Sequence, residues 1–447
     1  MNLSGRRVVV VGLAESGLAA VETLLALNAS VIVTEDRPRD AVTDAAARVE
    51  ALGVVVHAGG HAESHLDDAD LVVASPGVPE HAPILRWASR RGLEIWSELE
   101  LGARLVRVPT VVVTGTNGKT TTTEMIATAM QRAGMNALAC GNVGYPLSRA
   151  AREDHDALVI EASSFQLRFE RSLHPRVSVL LNLAPDHLDW HGSLASYRDA
   201  KARIHAGQGA RDVHIGNRDD AAAAAVSRAA PCPVAWFTLD SPEPGQAGYV
   251  DGRLVVRTAG DHDLGVPAAG GPAHNANAAA AALAAVSFGV APNAVGAALQ
   301  EYRPGPHRGT VIAEIDGVRY VDDSKATNPH AALASIAAHG SVVLIAGGLA
   351  KGVDLTPLAA AAPQLTGVVA IGEAAPQIVS IFDGLVPIRR AETIDEAVAE
   401  AAGLAAPGGT VLLAPACASM DMFRDYRERG DRFAQAVRAH AGRGAHA

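Results

Sequence analysis

Nine short β-branched runs, most of them apolar from end to end, leave few folds open to this chain: Val8–Val11, Val31–Thr34, Leu71–Ala74, Thr110–Thr114, Ala157–Glu161, Val177–Asn182, Val342–Ala346, Val368–Gly372 and Thr410–Ala414. An alternating run buries one face, whereas a continuous one predicts a parallel strand covered on both faces. Ala- and Leu-rich helical stretches separate the runs, so the fold class is α/β. Several runs end in a Gly- or Ser-containing turn, at the strand ends where open α/β sheets bind ligands. The βαβ pattern starts at residue 6 and restarts near 110 and 311. At roughly 150 residues per domain, the 447-residue length also predicts three domains. Boundaries near Leu93–Glu98 and Arg303–His307 divide the chain into 1–97, 98–304 and 305–447. Turn-rich segment 237–270 predicts small antiparallel strands at the edge of the second domain, and the tail from Ala441 is expected to fray.

Composition narrows the function classes. Apolar residues make up 49% and charged residues 19%, too apolar a balance for a disordered chain. Acidic residues (48) outnumber basic ones (38), giving −10, and no five basic residues run together. That argues against a general nucleic-acid or anionic-membrane binder and leaves room for a local basic site. Cys140, Cys232 and Cys417 are far apart with no CxxC spacing, which excludes a disulfide scaffold and fits a reducing compartment. The longest uncharged stretch, 264–300, is interrupted by His274, Asn275, Asn277, Gly and Pro. A membrane span needs about 20 predominantly apolar residues. The expectation is a soluble cytoplasmic protein.

The strongest chemical signal is Val111-Val-Val-Thr-Gly-Thr-Asn-Gly-Lys-Thr-Thr, residues 111–121. A strand feeds a glycine loop, and Lys119 and Thr120 open a helix. Glycine permits positive φ, so backbone N–H groups can turn toward phosphate oxygens. The helix N-terminus and Lys119 add positive charge, and the Thr120 hydroxyl can ligate Mg²⁺. Val113 stands where the general G-x-x-x-x-G-K-[ST] pattern has its first Gly, and the spacing does not choose between ATP and GTP. Two further strand ends carry Glu161-Ala-Ser163-Ser164 and Asn182-Leu-Ala-Pro-Asp186-His187-Leu-Asp189. Behind a phosphate loop, such hard oxygen ligands predict a Mg²⁺ site.

The third domain offers Gly347-Gly348 with Lys351, the run Asp322-Asp323-Ser324-Lys325-Ala-Thr327-Asn328, and Pro415-Ala-Cys417-Ala-Ser419. Together these lysines, carboxylates and hydroxyls suit an anionic substrate. In the first domain, Gly12-Leu-Ala14-Glu-Ser16-Gly17 approximates G-x-G-x-x-G, with Glu35 where a ribose-binding acid would fall. The turn Ser75-Pro76-Gly77 adds a second possible phosphate contact. NAD, another nucleotide and plain packing all stay open for this sheet.

Taken together, TGTNGKTT, E-x-S-S-F-Q, DH-x-D, PHR at 306–308, DDSKATNP and PACAS resemble the Mur ligases, in order and along essentially the whole chain. The resemblance implies a Rossmann-like N-terminal domain for a UDP-sugar, a central P-loop ATPase-like domain with a parallel sheet, and a Rossmann-like C-terminal domain for the amino acid. SSFQL and DSKATN resemble the member that joins D-glutamate to UDP-N-acetylmuramoyl-L-alanine. The DNPR motif of the diaminopimelate-adding member is not found. The implied reaction phosphorylates the muramoyl-alanine carboxylate with ATP, and the D-glutamate amine then attacks the acyl phosphate, in the cytoplasmic stage of peptidoglycan synthesis.

Residue by residue, the resemblance implies that Gly115, Thr116, Asn117, Gly118, Lys119, Thr120 and Thr121 hold the ATP phosphates. Glu161 and His187 would bind Mg²⁺ with Thr120, two ions being expected, and Lys201 matches a lysine that CO₂ carbamylates to give an anionic metal ligand. Arg308, Asp323 and Lys325 would serve the nucleotide, with Asn275 or Asn277 on adenine. Ser16, Glu35, Arg37, Ser75, Pro76 and Gly77 would hold uridine and its diphosphate, and Asn142 and Ser163 the sugar–peptide portion. Thr327, Lys351, Ser419 and Tyr426 match the D-glutamate end. Lys119, His187, Lys201 and Arg308 would be the catalytic set in a monomer with no nucleic-acid or membrane partner.

Three departures stand out. The adenine-side pattern His274-Asn275-Ala-Asn277 is one residue short of H-N-x-x-N, Leu349 replaces an Asp, and Asp425-Tyr426 replaces Asn-Phe. Competing readings are a dehydrogenase built on the first-domain fingerprint, a nucleotide-binding regulator without chemistry, and a related amino-acid ligase such as folylpolyglutamate synthase. The dehydrogenase reading leaves the Lys119 loop unexplained.

Overall fold

All nine runs are strands, and they lie in three separate sheets. The structure, a computed structural model, describes every residue except Met1, Val143, Ala259, Ala269 and Ala445–Ala447. Among the described residues the first sheet contains β1 (Arg7–Val11), β2 (Ser30–Glu35), β3 (Val55–Ala58), β4 (Leu71–Ala74) and β5 (Glu94–Ser97). Its order is β3-β2-β1-β4-β5, all parallel. The central pair departs in opposite directions along the sheet, which places the switch point between β1 and β4.

The second sheet contains β6 (Thr110–Thr114), β7 (Ala137–Gly141), β8 (Ala157–Glu161), β9 (Val177–Leu180), β10 (Val213–Asn217), β11 (Val234–Phe237), β12 (Gln246–Val250), β13 (Arg253–Arg257) and β14 (Asp261–Gly265). Its order is β14-β13-β12-β11-β10-β9-β6-β8-β7. The antiparallel part is confined to β12, β13 and β14 at one edge, as segment 237–270 predicted. The third sheet contains β15 (Thr310–Ile315), β16 (Val318–Asp322), β17 (Val342–Gly347), β18 (Leu365–Ile371), β19 (Ile388–Arg390) and β20 (Thr410–Ala416). Its order is β15-β16-β20-β17-β18-β19, with only β15–β16 antiparallel.

Burial explains both the hits and the misses. Val8 to Val11 and Val111 to Val113 are shut off from solvent, as a two-sided strand requires. The strands that the apolar pattern does not announce include β3, β15 and β19, which sit at sheet edges with exposed or half-exposed side chains. The uncharged stretch 264–300 is accounted for by helix Pro272–Phe288, whose run Ala278–Ala285 is wholly buried. No helix among the described residues is long and apolar enough to cross a membrane. Of the tail expected to fray from Ala441, residues 441–444 continue helix Tyr426–Gly444, anchored upstream by buried Phe433, Ala434, Ala436 and Val437, and Ala445–Ala447 lie outside the described residues.

By packing, the chain divides into two compact units. One comprises Met1–Leu183, Trp190–Pro267 and Ala276–Glu301, and so carries the first two sheets. The other comprises Ala184–Asp189, Ala268–Asn275 and Tyr302–Ala447, and carries the third. Inside the first unit, polar contacts join the two sheets' surroundings. Arg168 makes a bidentate pair with Glu80 (2.8 and 2.5 Å), and Trp190 Nε1 donates to the Val78 carbonyl at 3.1 Å.

A buried carboxyl pair braces the same unit. Glu100 accepts from Arg171 N, Ser172 N, Ser172 Oγ and Arg104 Nε, which lowers its affinity for a proton despite burial. Glu170, equally enclosed, is pushed well above the usual carboxylate range by burial and by the neighbouring Glu100. Glu170 therefore keeps its proton when folded and loses it when unfolded, so this contribution to stability is lost as pH rises from the ordinary carboxylate range toward its raised value. Glu170→Gln, which is neutral at every pH, should raise the melting temperature by about 2–4 °C near pH 8.5 and by less near pH 6. Scanning calorimetry at the two pH values checks this; an equal shift at both would show that Glu170 is ionised.

Candidate active site

The phosphate loop follows β6, whose neighbours are β8 and β9, so the ends of three strands surround it. Gly118 ends the loop at φ +85° and opens helix Lys119–Arg132. Only glycine fits there, because a Cβ would lie 2.1 Å from Asn277 Oδ1. The loop is held from β9: Thr116 N donates to the Asn182 carbonyl at 3.0 Å, Asn117 N donates to Asn182 Oδ1 at 2.8 Å, and Asn182 Nδ2 donates to the Asn117 carbonyl at 3.2 Å. Thr116 Oγ1 also meets Tyr197 OH at 2.9 Å. Two N–H groups expected to cradle phosphate are thus spent on Asn182, which leaves that task to the first turn of the helix.

Two lysines converge on one carbonyl of this loop. Lys119 Nζ donates to Gly115 O at 3.0 Å and to Thr116 O at 2.9 Å, and Lys201 Nζ donates to Gly115 O at 2.7 Å. Lys201 is 1% exposed and lies 4.7 Å over the Tyr197 ring. The sequence alone makes it an ordinary solvated helix lysine, because a helical repeat does not show which loop a helix packs on. On β8, Glu161 is 2% exposed and accepts Asn142 Nδ2 at 2.9 Å. Ser163 is committed to its own helix, where its hydroxyl accepts Gln166 N at 3.3 Å and donates to Gln166 Oε1 at 2.8 Å. The SSFQ run is therefore a capping box.

At the switch point of the first sheet, the Gly12 loop and the Ser75-Pro76-Gly77 turn adjoin, and Ser75 Oγ donates to Gly12 O at 3.2 Å. Ser16 lies in the first turn of helix Glu15–Ala26. Glu35 ties this region together: Oε2 accepts Leu13 N at 2.7 Å and Arg37 Nη2 at 2.9 Å, and Oε1 accepts Arg37 N at 2.9 Å and Arg37 Nε at 3.0 Å. Burial alone would raise the carboxyl, but Arg37 and these N–H groups hold it at about 2.

In the second unit, the loop Asp323–Asn328 is the hub. Lys325 N donates to His307 O at 3.1 Å, and Ala416 N donates to Ala326 O at 2.9 Å. Lys325 Nζ lies 3.9 Å over the Tyr426 ring. Arg429, 1% exposed and unmarked in the sequence pattern, donates to Ser324 O at 2.8 Å, Ser324 Oγ at 3.0 Å and Cys417 O at 3.1 Å. Burial pushes this guanidinium down to about 10. Beside Arg308, burial pushes the Asp323 carboxyl up to about 6, against hydrogen bonding from Ser335 and Gly309. His307 Nδ1 pairs with Asp322 Oδ2 at 2.7 Å.

The Lys351 and Ser419 loops are zipped by Leu349 N to Ala418 O (2.9 Å) and Ala418 N to Leu349 O (3.0 Å). Since Leu349 contributes through its backbone, this bridge does not depend on the side chain at that position. His187 belongs to this unit too; its N–H donates to Asp186 Oδ1 at 2.9 Å, while Asn328 Nδ2 donates to Asp186 Oδ2 at 3.1 Å. Thr327 lies within the hub loop. Asn275 falls in the second unit and Asn277 in the first.

Backbone strain marks the same places. Among the described residues eight non-glycines have positive φ, and Asn28, Asp68, Asp251 and Asp316 are types that tolerate it. The other four are His187, His307, Lys351 and Ala416, each in a loop or motif that carries a sequence-predicted site residue. No group of three or more His, Cys, Asp or Glu among the described residues could hold a metal by itself. That fits Mg²⁺, which binds through one or two protein oxygens plus substrate phosphates, and Glu161 and Thr120 are donors of that kind.

A strand-end phosphate loop with its lysine, a buried carboxylate at the end of β8 and a buried lysine brought in from helix Leu194–Ala202 define an α/β nucleotide-dependent enzyme. Residues 6–97 match the Mur ligase MurD-like N-terminal domain, 113–286 the Mur ligase middle domain, and 307–417 the Mur ligase glutamate ligase domain. The chain belongs to the Mur ligase family. It is 47% identical to the UDP-N-acetylmuramoylalanine--D-glutamate ligase of Frankia casuarinae, with 99% of this chain and 96% of the relative covered. It is 43% identical to the ligase of that name from Streptomyces avermitilis, with 98% and 99% covered. Among solved structures, the fold matches UDP-N-acetylmuramate-alanine ligase MurC from Thermotoga maritima with a TM-score of 0.61 at 18% identity, covering 97% of this chain and 99% of that one.

Gly118→Ala should weaken nucleotide binding at least about tenfold, since a left-handed alanine costs roughly 1–2 kcal/mol before the clash with Asn277 is counted. Titration with a fluorescent ATP analogue reads this directly. Unchanged affinity would mean that the loop does not bind phosphate in this conformation.

Proposed function

We infer that the protein adds D-glutamate to UDP-N-acetylmuramoyl-L-alanine in peptidoglycan precursor synthesis, as an ATP-dependent amide-forming Mur ligase. The family membership and the relatives' shared name support it, and the single structural observation behind it is the pair of lysines on Gly115 O. An amide does not form from a carboxylate and an amine at neutral pH without activation. In this reading the muramoyl-alanine carboxylate takes the γ-phosphoryl group of ATP, and the amine of D-glutamate displaces phosphate from the acyl phosphate. The transferring phosphoryl spreads negative charge over its oxygens, so fixed cations are what lower the barrier.

Lys119 and the first turn of its helix hold the phosphates, and Arg308, Asp323 and Lys325 serve the nucleotide. Asn277, against Gly118, is the better placed of the two candidate asparagines to serve the nucleotide that Gly118 holds. Glu161, Thr120 and His187 are the protein donors for two Mg²⁺ ions, which when bound neutralise phosphate charge. Glu35, Arg37, Ser16 and the Ser75–Gly77 turn take the uridine diphosphate, and Asn142 the sugar–peptide portion. Lys351, Thr327, Ser419 and Tyr426 take D-glutamate. The protein works as a monomer in the cytoplasm.

Lys201 is the carbamylated residue of this scheme. Two ammonium groups on one carbonyl repel each other, and one of them is fully buried. A neutral Lys201 amine that adds CO₂ gives a carbamate and releases one proton. The repelling pair then becomes an attractive one and gains an anionic oxygen for Mg²⁺.

Phosphate release with UDP-N-acetylmuramoyl-L-alanine, Mg-ATP and a panel of amino acids tests the substrate. D-Glutamate should give release well above L-alanine or L-lysine, and equal release would end the assignment. Lys119→Ala should lower turnover by about two orders of magnitude or more, and near-normal turnover would misplace the site. Lys201→Ala should lose activity and regain part of it with short carboxylic acids; no regain at any concentration would argue against a carbamate.

A further inference from the structure

The end of β2 carries a hydrogen-bond relay that none of the roles above uses. Thr34 is fully buried, and its Oγ1 lies 2.8 Å from His61 Nδ1 and 2.9 Å from His65 Nδ1. The Ala62 N–H donates to His65 Nδ1 as well, at 3.3 Å. An amide can only donate, so His65 Nδ1 carries a lone pair. Thr34 has one hydroxyl hydrogen, which goes to His65, and the hydrogen between Thr34 and His61 must then come from His61. The proton order is fixed: His61 Nδ1–H donates to Thr34 Oγ1, and Thr34 O–H donates to His65 Nδ1.

This order makes the two imidazoles unequal. His61 can take a second proton on Nε2 without disturbing the relay; burial holds its affinity for that proton below the ordinary imidazole range, and Asp36 and Glu35 at the end of β2 offset part of that cost. His65 cannot, because a proton on Nδ1 would face the Ala62 N–H and reverse the Thr34 bond, leaving the buried Thr34 hydroxyl hydrogen to find another acceptor. Among the described residues no carboxylate pairs with His65. Its ring stacks on His57 of β3 at 4.3 Å, and burial, then His57 and His61, hold it below the ordinary imidazole range. Glu63, on its own short helix, is engaged by Arg91 at 3.4 Å and Arg90 at 3.9 Å, and Asp67 by Arg91 at 3.0 Å.

The relay grips a residue on which the nucleotide-sugar end hangs. The Thr34 carbonyl accepts Gly12 N at 2.9 Å, and the next residue is Glu35, whose carbonyl accepts Gly59 N and Gly60 N and whose carboxylate holds Leu13 N and Arg37. We propose that His65, acting through Thr34, is a positioning residue for the UDP-sugar end of the first sheet, and that it does so only while its ring is neutral. This rests on the reading that Glu35 and Arg37 hold the uridine end.

The test is calorimetric binding of UDP-N-acetylmuramoyl-L-alanine to the full chain between about pH 7.5 and 5.5, where its esterified diphosphate does not change charge. In the unaltered protein Kd should rise about threefold or more across that range, short of the tenfold an ordinary imidazole would give, while Kd for Mg-ATP changes less than about twofold. His65→Asn offers an acceptor oxygen that cannot be protonated, so its Kd should rise less than about 1.5-fold. Parallel profiles for the two proteins would overturn the inference. Thr34→Val should weaken binding at pH 7.5 and flatten the profile, and full affinity there would also overturn it; if that variant does not fold, the His65→Asn profile carries the test. Arg37→Ala separates the two claims. If it leaves Kd unchanged, the uridine reading falls; if it weakens binding while the profiles stay parallel, only the relay falls.

Discussion

Gly115 O, held by the Nζ atoms of Lys119 and Lys201, is the contact around which the phosphate loop is organised. A phosphate loop has to face its ligand with N–H groups and positive charge, which is an unfavourable surface to assemble in a ligand-free protein. The surrounding strands supply the counterweight. Asn182 takes the loop's outward donors, Tyr197 takes the Thr116 hydroxyl, and Thr114 Oγ1 donates to Ala162 O at 2.8 Å. Asn182 and Thr114 sit at the ends of buried strands and Tyr197 on helix Leu194–Ala202, so the rigidity of the sheet and of the helix is transmitted to the loop.

The fold was legible in most strands buried on both faces, because such strands leave a continuous apolar run in the sequence; β10, buried but reading VHIGN, leaves none. Edge strands such as β3 and β19 were not, since half-exposed positions carry ordinary surface residues. Lys119 and Glu161 were legible as candidates by local pattern, because Lys119 follows β6 through a glycine loop and Glu161 ends β8. The loop-holding role of Asn182 and Tyr197 was not, because no spacing within their own segments records which loop they hold. Lys201 and Arg429 are harder still. A basic residue on a helix reads as solvated, and only packing shows that these two are enclosed. Ser163 illustrates the converse: its hydroxyl is explained by the capping of its own helix.

Strain is distributed with similar economy. The left-handed residues that are not Asn or Asp fall at His187, His307, Lys351 and Ala416, and every one lies in or beside a loop that carries a proposed ligand contact. A residue held in such a conformation must be over-determined by its neighbours. For Ala416 that neighbour is the Ala326 carbonyl, beside Lys325.

Arg429 reaches its loops through carbonyl oxygens and one hydroxyl, and among the described residues hydrogen-bonds to no carboxylate. A guanidinium bound to the main chain is indifferent to most side chains those loops display. The spacing between the Ser324 and Cys417 segments can therefore persist while the residues facing the incoming amino acid are exchanged, so an acceptor preference could be rewritten in this unit without rebuilding its frame.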